Sequence, residues 1–343
     1  MFRKEDKGEG PNQRLLPSSV QYIEWLRLSC TSVLLFVSGI YLQAVAMPLT
    51  LAALAAPAPI SLIGIRQGVY KAFLAVIFVA TALFLPFGYE GSVSFIFSAG
   101  FLGIIFAVVV KKANSAGETF LGLVITALAA KLMFMLFMIN TRGTNPFVLD
   151  ENSVSAIMNS FIAGASDDVL NTLAQQLNLL VPTFLIIAAG IDSFVNYFLV
   201  LKIENRRRQL RTASSSIAVN SADERTNELK IHPLPPLEQL SFPRSLLTAF
   251  LAAFLITLLD VSGTNRTLLS AELNLKILTS ILFFIQGLSF VWWWMLHKNY
   301  SFWVRYPILL ILLFIPILSM GLVMVGIVDI VIDLREKMRR NSK

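Results

Sequence analysis

The run from Leu180 to Leu201 decides the class of fold. It is mainly apolar, carries Asp192 near its middle and is followed by Arg206, Arg207 and Arg208. About 20 apolar residues make a helix as long as the hydrocarbon core of a bilayer is thick, and a Lys/Arg cluster at one end marks the cytoplasmic side. Comparable runs recur along the chain. The sequence is 56% hydrophobic and only 14% charged, with a mean hydropathy of +0.70. That is more apolar surface than a soluble core hides. The class is therefore an all-α, polytopic transmembrane helical bundle.

The formal net charge of +7 raises the question of nucleic acid. The basic residues lie in short loops beside apolar runs, and no aromatic-basic binding module is visible. Membrane lipids, rather than nucleic acid, are the expected partners. Cys30 is the single cysteine, so neither a disulfide framework nor a cysteine metal site is expected within one chain.

Residues 1–25 read as a cytoplasmic N-terminal tail with Arg3, Lys4, Lys7 and Arg14. Residues 26–140 read as an N-terminal membrane bundle. Its first run spans Leu26 to Met47 and ends in Ala44-Val45-Ala46, superficially a signal-peptidase site behind a polar region too long for a signal peptide. An uncleaved helix is expected instead. Leu49 to Ile65 is interrupted by Pro57 and Pro59, whose missing N–H groups break a regular helix. This stretch is either a short, kinked crossing or a re-entrant hairpin shielded by protein. A third run ends at Pro86, a fourth closes on Lys111-Lys112, and a fifth, Thr119 to Asn140, holds Lys131. Alternation then puts Arg66 with Lys71, Lys111 with Lys112, and Arg206–Arg208 all inside.

Residues 141–179 fall outside, with Val154, Ile157, Met158, Phe161 and Ile162 at helical spacing, then Leu170, Leu173 and Leu177 after Ser166 as N-cap. They are expected to form an extracytoplasmic amphipathic helical insert. The 180–201 helix leads to a cytoplasmic loop at 202–242, in which His232 stands alone and is read as solvated. C-terminal membrane helices occupy 243–334, with runs at Pro243–Leu259, Leu273–Leu296 and Tyr306–Ile332, and a basic tail covers 335–343. Trp292, Trp293, Trp294, His297 and Trp303 mark an interface. The count comes to about eight or nine membrane segments. Nine crossings put the C-terminus outside, whereas Arg335, Lys337, Arg339 and Arg340 favour the inside.

Charges at mid-membrane depth are costly and normally face a partner or a cavity. Lys131 and Asp192 sit near the centres of their runs, at equal depth, and are natural partners. They either hold two helices in register as an ion pair or read a solute. Gln43, Asn196 and Gln286 are candidates to line the same cavity, or else to form interhelical hydrogen bonds. Catalytic motifs are lacking: there is no Gly-rich phosphate loop, no H-E-x-x-H and no G-x-S-x-G, and the two histidines lie in unrelated runs. No enzyme activity, cofactor, metal or ATPase of its own is expected.

Pro57-Ala58-Pro59 with Arg66-Gln67-Gly68, Phe242-Pro243, Gly326-Ile327-Val328-Asp329 and Asp333-Leu334-Arg335 resemble the YybS-like (DUF2232) family of bacterial integral membrane proteins. Its N-terminal part is similar to the S components of energy-coupling-factor transporters. The resemblance implies a multi-pass protein of the bacterial inner membrane that binds or transports a small solute, with membrane or cytoplasmic protein subunits as partners. The outer insert and the extra C-terminal helices depart from the compact S-component pattern. The rival expectation is a non-transporting membrane scaffold or assembly factor.

Overall fold

The structure is a computed structural model that describes residues 18–41, 52–143, 145, 167–215, 231–259 and 266–341. The described residues contain helices and no strand. Gln43, Asp260, the Ala44–Ala46 site, Ser166 and the 154–162 stretch lie outside them. Among the described residues five helical stretches are long and apolar enough to cross a membrane: Ser19–Gly39, Val69–Lys112, Ala116–Arg142, Val181–Leu210 and Thr267–His297. A bent pair, Phe302–Leu313 with Pro316–Ile332, is a sixth if the pair counts as one span. This is a multi-pass membrane protein. The chain divides into two compact units, one of residues 1–140 with 189–232, the other of 141–188 with 233–343.

In the first unit α1 (Ser18–Tyr41) is followed by α2 (Pro57–Gln67). The prolines do not break α2; they begin it, at positions whose N–H groups have no intrahelical partner anyway. What they break is the link to residues 52–54. Glycine 39 lies so close to Ala53 that an added Cβ would meet the Ala53 Cβ at 2.2 Å. Lower down, Ser32 Oγ donates to the Ala56 carbonyl at 2.7 Å, and Gln67 Nε2 to the Gln21 carbonyl at 3.1 Å. The segment 52–67 thus runs antiparallel to α1 from Gly39 to Gln21, about 27 Å at 1.5 Å per residue. It is a broken helical segment along α1, with Pro57 through Gly64 buried in protein.

α3 (Val69–Phe95) has non-helical backbone at Gly88, φ 65 and ψ −165, just after Pro86. Proline removes a helical donor and glycine alone reaches this φ without strain. The chain folds back there: Ser92 Oγ donates to the Ala80 carbonyl at 2.7 Å, and Gly100 lies against Val76. Twelve residues of straight helix would separate Ser92 from Ala80 by about 18 Å. The stretch Val69–Lys112, completed by a π turn at Ile96–Gly100 and α4 (Phe101–Lys112), is therefore a hairpin, as the third and fourth apolar runs predict. α5 (Ala116–Arg142) follows.

Charges close one end of this unit. Arg66 pairs with Glu24 at 2.6 Å and with Glu204 at 3.0 Å, and Lys111 Nζ donates to the Gly64 carbonyl at the end of α2. Residues near Arg66, Lys111 and Arg206–Arg208 thus gather at one end, as one shared cytoplasmic side requires.

α6 (Asp167–Leu179) is the described part of the outer insert, and α7 (Val181–Ser215) runs well past Leu201. The basic cluster that sequence reasoning placed in a loop is a helical extension, because Glu, Arg and Gln are good helix formers and nothing there interrupts them. Residues 181–188 of α7 belong to the second unit and 189–215 to the first. His232 is half-buried, and its carbonyl accepts the Tyr197 hydroxyl. That corrects its reading as solvated: Ile231, beside it, is buried and draws the loop back.

In the second unit Asn274 knits the α6–α7 joint, donating to the Leu179 carbonyl at 2.7 Å and accepting the Thr183 N–H at 2.9 Å. α8 (Ser245–Leu259) leads to α9 (Arg266–His297), which begins seven residues before the expected run. The last run is a bent pair of helices. It divides into α10 (Phe302–Phe314) and α11 (Pro316–Ile332), with a 102° bend between them. α11 packs on α9 with no room for a side chain: a Cβ on Gly287 would lie 1.9 Å from the Leu322 carbonyl oxygen, and one on Gly326 2.0 Å from that of Phe283. These contacts mark one crossing point, and beyond it Gln286 meets Asp329 and Ser289 meets Arg335, so the two helices run in the same direction. The tail α12 (Leu334–Asn341) therefore returns to the end of the unit that holds residues 237–242. The basic tail thus shares an end of this unit with the 237–242 segment.

A candidate solute site inside the first unit

Lys131, midway along α5, and Asp192, on α7, form an ion pair at 2.7 Å. Neither is fully enclosed: their side chains are 22% and 18% exposed. An ammonium carries three protons and a carboxylate two oxygens. Among the described residues, the charged groups of this pair engage each other and leave the remaining protons and one oxygen unspent.

One turn along the same face of α7 lies Asn196, fully buried. Its Nδ2 donates to the Asp192 carbonyl at 2.7 Å and to the Leu54 carbonyl at 3.0 Å. Leu54 precedes the break in the 52–67 segment. Pro57 has no N–H with which to close the turn onto the Leu54 carbonyl, so the asparagine amide satisfies it instead. The other end of the same amide, Oδ1, is buried with no partner among the described residues. A buried acceptor without a donor is costly and rare. Ser193 and Tyr197 flank Asn196 and are equally buried, with the Tyr197 ring 5.9 Å from that of Phe106.

The expected companions of this pair separate. Asn196 is beside it. Gln286 belongs to a different network in the second unit, where both ends of its amide are committed. Its Nε2 donates to Asp329 Oδ2 at 2.6 Å and its Oε1 accepts the Phe242 N–H at 3.0 Å. The reason is its place on α9, one residue before Gly287, where close packing brings α11 within reach.

That second network escaped sequence reasoning as a site. Asp333 ends α11 in the left-handed region, φ 53, which Asp tolerates better than most side chains. The turn swings Arg335 back onto Asp329 at 3.2 Å. Arg335 also donates to the Glu238 carbonyl at 2.8 Å and to Ser289 Oγ at 2.9 Å. Beside it opens a cleft of about 730 Å³ bounded by Glu238, Trp293, Glu336, Arg339 and Arg340, among others. The signal was present in the chain, as an Asp and an Arg six residues apart at the end of the last apolar run.

The family described as "Predicted membrane protein (DUF2232)" matches residues 30–221 and 217–330. The chain belongs to this family. A DUF2232 chain of this kind is also 26% identical over 181 residues to "Uncharacterized protein YybS" of Bacillus subtilis (strain 168). The match takes in 52% of each chain, so it spans about half of that relative's length. No solved structure matches, and similarity to energy-coupling-factor S components is not among the findings.

Proposed function

We propose that this DUF2232 protein binds a small solute within the first unit, at Lys131, Asp192 and Asn196, and passes it across the bacterial inner membrane without an ATPase of its own. The observation that carries the proposal is a buried, unpartnered Asn196 Oδ1 one turn from a partly exposed ion pair, beside a broken helix. Discontinuous helices at mid-membrane depth are where many carriers place their substrate sites. The chain's own residues supply binding and orientation; a partner subunit or an ion gradient supplies energy.

Mass spectrometry of small molecules released from the purified protein tests this. A solute recovered in near-stoichiometric amount, and lost when Asn196 is changed to Leu, is the expected result. No solute above the level of an unrelated membrane protein would count against it.

A second reading has its own support in the second unit. The cleft beside Arg335 combines the 237–242 segment with the basic tail, which suits a cytoplasmic protein partner and hence a scaffold. Recovery of a stoichiometric protein, and of no solute, would favour that reading.

A further inference from the structure

We infer that the solute is a compact zwitterion, with an ammonium and a carboxylate separated by one or two carbons. The inference rests on the proposed solute site and adds its ligand class. Opening the Lys131–Asp192 pair leaves two opposite charges, and removing one partner from a charge held away from water is far costlier than replacing both. A cationic ligand satisfies Asp192 and strands Lys131; an anionic one does the reverse. A neutral ligand leaves the pair closed and finds only Asn196 Oδ1 as a free acceptor. A zwitterion alone answers every group at once.

The arrangement also fixes its direction. Asp192 and Asn196 share one face of α7 and both present acceptor oxygens, Asp192 through its carboxylate and Asn196 through Oδ1. Lys131, on α5, is the donor opposite them. The ligand ammonium therefore lies against α7, between carboxylate and amide oxygen, and the ligand carboxylate against Lys131. Because the protein charges meet at 2.7 Å, any ligand must part them, and a compact zwitterion parts the two helices least.

The test is thermal unfolding of the full-length protein in detergent with glycine, L-alanine and β-alanine, against methylamine, ethylamine, acetate and propionate. At least one of the three zwitterions is expected to raise the unfolding midpoint. The amines and acids, each missing one charge, should need concentrations about a hundredfold higher or more for the same shift. The double variant Lys131→Met/Asp192→Leu should lose the response; should it fail to fold, Lys131→Arg should retain the preference for zwitterion over fragment. An amine or acid as effective as the zwitterions overturns the inference, as does the absence of any response to the three. Mass spectrometry of co-purified solutes separates the two levels. A bound solute that is not a zwitterion overturns this inference alone, and no bound solute overturns the site as well.

Discussion

Each unit contains an ion pair within its helices, and the two are built oppositely. In the second unit Asp329 is 3% exposed, and the Arg335 that pairs with it is also held by a backbone carbonyl and a serine hydroxyl while Gln286 supports the carboxylate. Little of Arg335 is left to offer a ligand. In the first unit Lys131 and Asp192 are several times more exposed than Asp329, and among the described residues their charged groups engage each other. Asp329 Oδ1, like Asn196 Oδ1, is buried without a partner among the described residues, so the contrast lies in exposure and in how firmly the cation is held. The difference teaches that the Arg335 pair is a latch, pinning the C-terminal tail to the 237–242 segment, and that the Lys131 pair, more exposed and less firmly held, is the one open to a ligand.

The largest expected effect falls on the latch. Asp329→Ala leaves Arg335 charged and without its carboxylate, at a cost of about 3–5 kcal/mol, read as a lowered unfolding midpoint in detergent. The double change Asp329→Leu/Arg335→Met should cost less than the single one. Equal losses would mean that the pair is not coupled. Next comes Gly326→Ala, whose Cβ would collide with the Phe283 carbonyl and force α9 and α11 apart. Such overpacking costs about 1–3 kcal/mol, and a neutral result would contradict the close helix contact.

A smaller loss, about 1–3 kcal/mol for a group left without its partner, is expected for Lys131→Ala. Lys131→Met/Asp192→Leu should again be better tolerated than the single change. If Lys131→Ala proves as damaging as Asp329→Ala, the contrast between latch and open pair fails. Smallest of all, Ser32→Ala removes the hydrogen bond from α1 to the Ala56 carbonyl at the start of α2, for about 1 kcal/mol.

Sequence reasoning reached Lys131 and Asp192 because charge at mid-membrane depth is expensive enough to demand a partner, and depth can be counted along an apolar run. It reached the shared basic end of the first unit for the same reason, since Arg66, Lys111 and Arg206–Arg208 obey one electrostatic rule. It did not reach what depends on packing between distant segments. Pro57 and Pro59 signal a break, yet only contact with α1 shows that 52–67 continues to the other end. Gln286 looked equivalent to Asn196 as a polar residue in an apolar run. Its commitment to Asp329 follows from the Gly287–Gly326 approach, which no local pattern announces. The last apolar run looked continuous because hydropathy does not register a 102° bend.

The contrast between the pairs is tested most directly by measuring bound small molecules, by mass spectrometry, in wild type and in two folded double variants. Lys131→Met/Asp192→Leu should lose the co-purified solute while its unfolding stays cooperative. Asp329→Leu/Arg335→Met should keep the solute, though its unfolding midpoint falls. Solute retained after the Lys131/Asp192 change, or lost only with the Asp329/Arg335 change, would contradict the assignment of the first pair as the receptive one.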